Sequence, residues 1–355
     1  MQQADRAKLV EREAALHRWS LAHASVDSDS DSDSDSDRGS GNVHAAASEP
    51  ANGAAWHMVA GDASFRRYFR LVVNARSFIA MDAPPEQESV ATFTRVAGLM
   101  RAARLRVPAI YAEDTAMGFL LLEDFGDHMV REELAADRGK QLFDWILPTL
   151  GRMAGCETTG LPLFDAAAMQ RELDLFTDWY LARHCQFEPG AAQRQRWQSF
   201  CEQIIEASLA QPQHFVHRDF HSCNLHRVDD GEPGIIDFQD AVLGPASYDL
   251  ASWLWDRYIS WPRASLEGWI EQARPLLAPL LETAHWQQCC DWMGLQRNLK
   301  IIGIFARLNY RDGKSEYLEL LPRFASYVRD ILPRYSAFKP VQNDLIDWLK
   351  PCGAP

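Results

Sequence analysis

The chain has 355 residues, 47% of them hydrophobic, and a formal net charge of −13 at pH 7. This apolar content allows a substantial core and excludes wholesale disorder, while the acidic balance argues against a nucleic-acid surface. The charged N-terminus is unlike a secretory signal, and no apolar run approaches the roughly 18 residues that a membrane span needs. We therefore expect a cytoplasmic protein without a membrane or nucleic-acid partner, and the sequence makes no prediction about protein partners or oligomeric state.

The cysteines give no sign of a metal site or of a disulfide framework. There are seven, at positions 156, 185, 201, 223, 289, 290 and 352, and none forms a C-x-x-C pair. Since their number is odd and the expected compartment is reducing, the sequence predicts free thiols that behave as small apolar side chains.

The first segment of the chain, residues 1–23, is predicted to be helical. Leu9, Leu16 and Trp19 fall roughly on one face of a helix over residues 5–21. Residues 27–37 then alternate strictly between Asp and Ser. Because repelling carboxylates without apolar neighbours cannot offset the entropy of ordering, we predict that residues 24–50 are disordered. A phosphorylated or cation-binding tail is the functional alternative for this tract.

Residues 51–125 show the pattern of a small sheet with one helix. Apolar and β-branched runs predict strands at 56–59, 68–73, 78–81, 109–112 and 119–123. Apolar residues at helical spacing after Pro84 and Pro85 predict a helix over residues 90–100. We expect this region to form a small, β-rich N-lobe.

Residues 126–355 are mostly helical in pattern. Only residues 215–240 alternate short β segments with turns. The sequence therefore predicts an α+β fold of two lobes, the second of them larger and mostly helical. The helix candidates of this C-lobe are residues 132–156, 165–184, 193–209, 246–258, 266–281, 286–309 and 318–332.

The strongest motif is HRDFHSCN at residues 217–224, followed by IIDF at 235–238. Phosphoryl transfer from ATP depends mainly on positioning and on charge neutralisation. Asp219 is suited to orient an acceptor hydroxyl and to receive its proton. Asn224 and Asp237 are suited to hold Mg²⁺, because that ion prefers oxygen ligands, which His217 and His221 cannot offer. The structural alternative is an Asp and an Asn that only cap turns.

This motif resembles the catalytic loop of protein kinases, in which His217 and Arg218 would support the loop. The resemblance implies a protein-kinase-like fold in which the N-lobe binds the nucleotide. Asp-Phe-Gln stands in place of Asp-Phe-Gly, however, and neither A-P-E nor the strand lysine of V-A-I-K is present. The segment GPASYDLA at 244–251 instead resembles the aminoglycoside phosphotransferase and choline kinase superfamily. There Asp249 would buttress the catalytic loop, or it would merely cap a helix.

Several segments taken together resemble the bacterial anomeric sugar kinases of cell-wall recycling. The resemblance covers residues 56–335. It implies an ATP- and Mg²⁺-dependent enzyme that phosphorylates N-acetylmuramate and N-acetylglucosamine at the anomeric hydroxyl, giving the 1-phosphate for peptidoglycan recycling. The segments are GDASFRRYFR at 61–70, MDAPPE at 81–86, LLEDFG at 121–126, IDFQDA at 236–241 and FARLNYRDGK at 305–314.

The expected nucleotide contacts lie in the N-lobe. Small residues in the turn at 61–64 let backbone N–H groups approach phosphates, although an ordinary hairpin has the same composition. One of the two consecutive arginines that follow could replace the absent lysine, and strand alternation places only one of them on the inner face. The resemblance implies that residues 123–125 contact adenine, where an ordinary linker is the alternative. The expected contacts are Gly61, Asp62, Ala63, Ser64, Arg66, Arg67, Glu123 and Phe125.

The acceptor contacts are expected on the predicted helix 286–309 and just beyond it. Lys300 and Arg307 are seven residues apart and share a face, so together with Arg311 they could meet the lactyl carboxylate of N-acetylmuramate. A solvated basic face is an equal alternative. The six tryptophans between residues 253 and 292 could stack on a sugar, but we expect most of them in the core.

Two other function classes fit parts of the sequence. An aminoglycoside, choline or homoserine kinase would share the fold, but a polycationic antibiotic would require an acidic acceptor lobe. A nucleotide-binding pseudokinase scaffold is the non-enzymatic alternative, and the intact Asp219, Asn224 and Asp237 argue against it.

Overall fold

The computed structural model describes residues 2–24, 54–60, 66–228 and 231–351. The Asp-Ser tract and the turn at 61–64 lie outside the described residues. The chain divides into two compact units, one of Met1–Ala97 with Val107–Gly126 and one of Gly98–Arg106 with Asp127–Pro355. The boundary between Gly126 and Asp127 lies one residue from the predicted lobe boundary. The N-terminal helix belongs to the first unit, and residues 98–106 belong to the second.

The first unit is built on a five-stranded antiparallel sheet with the strand order β1-β2-β3-β5-β4. Alternate residues of β2 are buried, as expected for a strand with one face on a core. Asn74 and Ala75, both with positive φ, form the tight turn between β2 and β3. The elements are α1 Gln2–Ala24, β1 Ala55–Ala60, β2 Arg67–Val73, β3 Arg76–Asp82, α2 Val90–Ala102, β4 Ile110–Asp114 and β5 Phe119–Glu123, and α2 continues into the second unit.

Helix α1 covers one face of this sheet. Leu16 is fully buried in a cluster with Phe69, Phe78 and Phe119, which come from three different strands. Such burial of apolar surface is the main source of stability for a short helix. The predicted helix is thus present, and Leu16 and Trp19 of its predicted apolar face pack on the sheet, whereas Leu9 is largely exposed.

The second unit is mainly helical and contains two short β ribbons, β6 with β9 and β7 with β8. A π-helical segment, Phe176–His184, continues directly from α4. The helices are α3 Gly139–Ala154, α4 Ala166–Leu175, α5 Ala191–Leu209, α6 Tyr248–Leu254, α7 Arg263–Leu277, α8 Thr283–Asp312, α9 Leu321–Ile331 and α10 Lys339–Trp348. The strands are β6 Gln213–Val216, β7 Leu225–Arg227, β8 Pro233–Ile235 and β9 Val242–Pro245.

Helix α8 is the centre of this unit, with 30 residues and a largely buried middle. It crosses the junction of α4 and the π-helical segment at Gly303, where an added Cβ would lie 2.3 Å from the carbonyl carbon of Leu175. The helix ends at Gly313, whose φ of 72° is the left-handed conformation that closes many helices. All six tryptophans between residues 253 and 292 are buried, which confirms that they belong to the core.

The structure differs from the sequence-based expectation in several elements. The predicted helix 132–156 begins as a separate 3₁₀ turn, Val130–Glu133, and the predicted helix 246–258 ends at Leu254. Helix α10 was not predicted. Among the helices that the structure describes, none is long and apolar enough to cross a membrane.

One expectation about the cysteines is wrong. Cys156, Cys201, Cys223, Cys289 and Cys290 carry free thiols, but Cys185 is disulfide-bonded. Pairing depends on the distance and direction between two Cβ atoms in the fold, and sequence spacing does not reveal either.

Candidate active site

The HRDFHSCN motif lies between β6 and β7 in the second unit. Its last residues form a 3₁₀ turn, Ser222–Asn224, and β8 then leads to Asp237. The backbone N–H of Ile236 donates to the carbonyl oxygen of Asn224 at 3.0 Å, which brings Asp237 beside the loop. Asn224 Nδ2 lies 2.9 Å from the Asp219 carbonyl oxygen and 3.4 Å from Asp237 Oδ2. The structure therefore brings together the three residues predicted to act on the hydroxyl and the metal.

Two residues of this region have an unusual backbone. Arg218 has φ 78° and Asp237 has φ 61°, in the left-handed region that non-glycine residues seldom adopt. Asp249, in the first turn of α6, accepts the backbone N–H groups of His217 at 2.7 Å and Arg218 at 3.0 Å. These two bonds hold the loop at Arg218 and offset the cost of its left-handed conformation, which is about 1–3 kcal/mol.

His217 connects the two halves of the motif. Its Nδ1 accepts the backbone N–H of Asp219 at 3.2 Å, so the ring proton is on Nε2, which donates to the Ile236 carbonyl oxygen at 3.0 Å. The ring is fully buried. His217 thus links the backbone at Asp219 to the backbone at Ile236, the residue before Asp237.

Burial also changes the acidity of Asp249. Burial raises the pKa of its carboxyl to about 6, although His217 and the two donated N–H groups act in the opposite direction. A carboxylate in so dry a position is destabilised when it ionises.

A buried carboxylate that the sequence did not single out anchors the loop from behind. Glu172, on α4, accepts Arg218 Nη2 at 2.5 Å and Gln296 Nε2 at 2.8 Å, and its Oε1 lies 3.1 Å from Lys300 Nζ. Lys300 also donates to the hydroxyl of Tyr248 at 2.8 Å. Burial opposes ionisation, but Lys300 and Arg218 hold the pKa of Glu172 below its usual range.

The charges around Asp219 favour its ionised form. Burial acts to raise its pKa, but the cations of Lys300 and Arg297 outweigh this and hold the pKa well below its usual range. At neutral pH the group is therefore a carboxylate, the form that accepts a hydrogen bond from a hydroxyl. A carboxylate positioned in this way can orient an attacking oxygen and accept its proton.

Asn224 and Asp237 fit a magnesium ion in their chemistry. Asp237 is exposed, and Gln239 Nε2 donates to its Oδ1 at 2.8 Å, so that the carboxylate is oriented by a residue of the unusual Asp-Phe-Gln sequence. Asn224 directs its NH₂ group to Asp219 and Asp237, which leaves its amide oxygen available to a cation. Over the described ranges no group of three or more His, Cys, Asp or Glu is placed to hold a metal. One carboxylate and one amide, completed by phosphate oxygens, is a set typical of Mg²⁺.

The other side of the loop is held by a second buried acid. Asp256 Oδ2 accepts both the backbone N–H of Ser222, at 3.2 Å, and its hydroxyl, at 2.7 Å. The neighbouring Arg257 donates to His221 Nε2 at 3.0 Å. Burial and the charge of Arg257 lower the pKa of His221 well below its usual value, so the ring is neutral.

The structure does not bring the three acceptor candidates into one group. Lys300 is buried against Glu172 and Tyr248, whereas Arg311 is exposed and pairs with Asp312 at 2.8 Å. Eleven residues of α-helix separate Lys300 from Arg311, an axial distance of about 16 Å. Arg307 lies between them, partly buried, and burial lowers its pKa, with Arg311 adding to the effect.

The nucleotide candidates that the structure describes lie in the first unit. Arg66 is buried and lies 3.7 Å from Glu88, while Arg67 is tied to Asp82 at 2.6 Å. Asp82 also pairs with Arg12 of α1, so Arg67 belongs to the face that the helix covers. Gly61, Asp62, Ala63 and Ser64 lie outside the described residues.

The linker candidates form ordinary strand contacts. The backbone N–H of Glu123 donates to the carbonyl oxygen of Ala109 at 2.8 Å. In return, the Oε2 atom of Glu123 accepts the backbone N–H of Ala109 at 3.1 Å. Phe125 is buried.

Sequence reasoning missed the residues that hold the site from other elements. Their roles depend on contacts between positions far apart in the chain. One signal was available: three consecutive polar residues, 296–298, interrupt the apolar middle of the predicted helix, where polar side chains are costly unless they have partners. The missed residues are Glu172, Gln239, Tyr248, Asp256, Arg257, Gln296 and Arg297.

Proteins similar to this chain come from one enzyme family. The phosphotransferase enzyme family matches residues 56–284. A Pseudomonas aeruginosa protein named N-acetylmuramate/N-acetylglucosamine kinase is 42% identical over 279 residues, covering 77% of this chain and 82% of that protein. A Neisseria meningitidis protein of the same name is 37% identical over 299 residues, covering 81% of this chain and 89% of that one.

A solved structure, Plasmodium vivax ethanolamine kinase, has a TM-score of 0.59 at 10% identity and covers 81% of this chain and 85% of that one. This likeness concerns the fold alone. The comparisons confirm the kinase-like α+β fold, the family resemblance and the class of phosphotransferase with an alcohol group as acceptor. The chain belongs to the phosphotransferase enzyme family, in the group of N-acetylmuramate/N-acetylglucosamine kinases.

Proposed function

We propose that the chain is an ATP-dependent sugar kinase that phosphorylates the anomeric hydroxyl of N-acetylmuramate and N-acetylglucosamine. The product would be the sugar 1-phosphate, used in peptidoglycan recycling in the cytoplasm. The observation that carries the proposal is the 42% identity to a kinase named for these two sugars, in a chain whose Asp219, Asn224 and Asp237 lie together.

In the proposed reaction the Asp219 carboxylate orients the sugar hydroxyl and takes its proton. The hydroxyl oxygen then forms a bond to the γ-phosphorus, the bond from that phosphorus to the bridging oxygen breaks, and ADP leaves. Asn224 and Asp237 would hold Mg²⁺, which when bound neutralises phosphate charge. Lys300 supports the reaction indirectly, since it keeps Asp219 ionised and Glu172 paired.

The nucleotide would be bound by residues of the first unit. We propose that backbone N–H groups of residues 61–64 contact the phosphates and that the segment with Glu123 and Phe125 contacts adenine. Of the two arginines, Arg66 is the better candidate for a phosphate contact, because Arg67 is paired with the buried Asp82 on the face covered by α1.

The charges near Asp219 favour a sugar as the acceptor over a molecule that carries a positively charged amine. Lys300 and Arg297 are both buried and both act on Asp219. A choline, ethanolamine or aminoglycoside cation would meet like charges there, which is unfavourable in a dry site. A neutral or anionic sugar meets no such penalty.

An ADP-release assay with a panel of acceptors tests the proposal. The purified protein, ATP and Mg²⁺ would be given N-acetylmuramate, N-acetylglucosamine, choline, ethanolamine or kanamycin, with the Asp219→Asn variant as the control. We expect acceptor-dependent release with the two N-acetyl sugars and none with the amines. Turnover of an amine acceptor with no turnover of either sugar would refute the proposal.

A further inference from the structure

Two side chains beside the catalytic loop carry buried hydrogen-bond donors that have no acceptor among the described residues. The first is Arg297, which is 3% exposed. Within the described residues, its Nε and Nη1 are buried without a hydrogen-bond partner. Its guanidinium lies over the Tyr248 ring at 5.6 Å, one turn of α8 before Lys300.

The second side chain is His221, which is 8% exposed. Arg257 donates to its Nε2 at 3.0 Å, and a guanidinium group has no acceptor atom. Because Nε2 accepts this bond it carries no proton, and the ring proton is therefore on Nδ1. This Nδ1 is also buried and has no partner in the part of the chain that the structure describes.

Both donors belong to the surroundings of the catalytic carboxylate. The backbone N–H of His221 donates to the Asp219 carbonyl oxygen at 2.9 Å, and Arg297 is among the charges that act on Asp219. A buried donor left without an acceptor costs about 1–3 kcal/mol, and more if it is charged. Two such donors beside the base are consistent with a ligand that supplies only acceptor oxygens.

On the proposed substrates, the group next to the reacting hydroxyl meets this description. The acetamido group is on C2, adjacent to the anomeric carbon, and its carbonyl oxygen is a strong acceptor with two lone pairs. Both N-acetyl sugars carry it, whereas the lactyl carboxylate is on C3 of one sugar only. We infer that Arg297 and His221 form a subsite that binds the acetamido carbonyl oxygen of the acceptor sugar, an inference that rests on the proposed function.

The subsite would make the enzyme select N-acetylated sugars. With glucose, which has a hydroxyl at C2, the two donors lose their shared carbonyl partner. A site built to hydrogen-bond one group discriminates strongly against an analogue that lacks it. The measured quantity is the selectivity ratio, defined as kcat/KM for N-acetylglucosamine divided by kcat/KM for glucose, with transfer of radioactive phosphate to detect slow turnover.

Two substitutions at one position provide a matched pair. His221→Gln keeps an acceptor near the Nε2 position for Arg257 but removes the Nδ1 donor, whereas His221→Asn keeps a donor near Nδ1. We expect the selectivity ratio to fall about 10- to 100-fold in His221→Gln and in Arg297→Met, since each loses one hydrogen bond to the carbonyl. His221→Asn should retain the ratio, whatever its absolute rate.

A role in folding alone would lower the melting temperature and both rates but leave the ratio unchanged, and that result would overturn the subsite. An unchanged ratio together with slower ATP hydrolysis in the absence of sugar would overturn it as well, because the donors would then serve the phosphoryl group. If Arg297→Met does not fold, Arg297→Lys and the His221 pair decide the question. A wild-type protein inactive on every N-acetyl sugar would refute the proposed function itself, a result distinct from an active enzyme with unaltered selectivity.

Discussion

Asp219 is the residue on which the proposed chemistry depends most. Its carbonyl oxygen accepts bonds from Asn224 and from His221, and its carboxylate is kept ionised by Lys300 and Arg297. The side chain is needed as an anion and a proton acceptor rather than as a packing group. Replacing it by the isosteric amide should therefore separate catalysis from folding.

For Asp219→Asn we expect kcat to fall by at least about 100-fold, the usual effect of losing a positioned base. The melting temperature and the KM for ATP should stay near the wild-type values, because the amide keeps the shape of the side chain. Steady-state ADP release and thermal denaturation measure these quantities. Turnover close to wild type would show that another group accepts the proton.

Lys300 and Arg311 should differ sharply when they are replaced. Lys300→Met leaves Glu172 with one charged partner fewer in a buried cluster, so we expect a loss of at least about 1 kcal/mol in stability and equal losses in kcat/KM on both sugars. Arg311→Ala removes an exposed ion pair, which contributes about 0–1 kcal/mol, and should leave both sugars within about twofold. Assays with the two sugars measure this, and a loss on N-acetylmuramate alone in either variant would indicate a contact with the lactyl carboxylate.

The proximity of the residues proposed to act in the reaction was easier to predict than the contacts that hold them in place. Asp219, Asn224 and Asp237 lie together, as predicted, because their spacing along a loop and a strand brings them to one place. Glu172 and Gln296 could not, because each reaches the loop from a helix whose packing is set by the whole unit. The prediction of the acceptor contacts had the same limit. Helical spacing placed Lys300 and Arg307 on one face of the helix, but it could not show that Lys300 is buried in an ion pair.

Helix α6 is coupled to the catalytic loop by the carboxyl of Asp249. Its pKa of about 6 in the folded state lies above the ordinary aspartate value of 3.8. Between these values the folded state binds the proton more tightly than the unfolded state, so stability falls as the pH rises through this range. The contribution is fully present below pH 4 and is lost above pH 6, with a size of about 3 kcal/mol.

Asp249→Asn should remove this dependence. The amide cannot ionise, although it loses one acceptor for the N–H groups of His217 and Arg218. We therefore expect the stability of the variant relative to wild type to improve as the pH is raised from about 4 to about 6, and to stay constant above that. Urea denaturation of both proteins across this range provides the measurement. A difference that does not change with pH, or that changes in the opposite direction, would contradict the account of Asp249.

The crossing of α8 over the α4 junction depends on a glycine. Gly303→Ala would place a methyl group against the backbone of Leu175, and because neither helix can yield locally, we expect a loss of about 1–3 kcal/mol. Gly268→Ala, at an exposed position of α7 with nothing within 4 Å of the added Cβ, is the matched control. It should stabilise by about 0.5–1 kcal/mol, since alanine is the better helix former. Thermal denaturation of the two variants checks both signs, and a neutral Gly303→Ala would mean that the crossing is loose.

Elements with strong periodicity were predicted well, and those shaped by tertiary contacts were not. The strands of the first unit and the long α8 agree with the sequence pattern within a few residues. The change from α- to π-helix at Phe176 and the early end of α6 at Leu254 have no equivalent in the pattern. These local changes occur where one helix meets another, so they depend on packing that a single segment does not encode.

For the molecule as a whole, fold class and enzyme class were both predictable from the sequence. The reason is physical: a kinase of this type needs few catalytic groups, and their spacing is fixed by the loop that bears them. The state of Cys185 was not predictable, because its pairing depends on proximity in the folded chain. The two proposed acceptor sugars follow from resemblance to a family and not from a local motif.

The central claim is that the molecule transfers phosphate from ATP to the anomeric hydroxyl of an N-acetyl sugar. Phosphorus NMR of the product made from ATP, Mg²⁺ and N-acetylmuramate tests this most directly, with Asp219→Asn as the control for enzyme dependence. The account predicts a new phosphomonoester signal coupled to the anomeric proton, absent in the control. A product whose phosphorus couples instead to the protons on C6, or an active enzyme that forms no sugar phosphate, would contradict it.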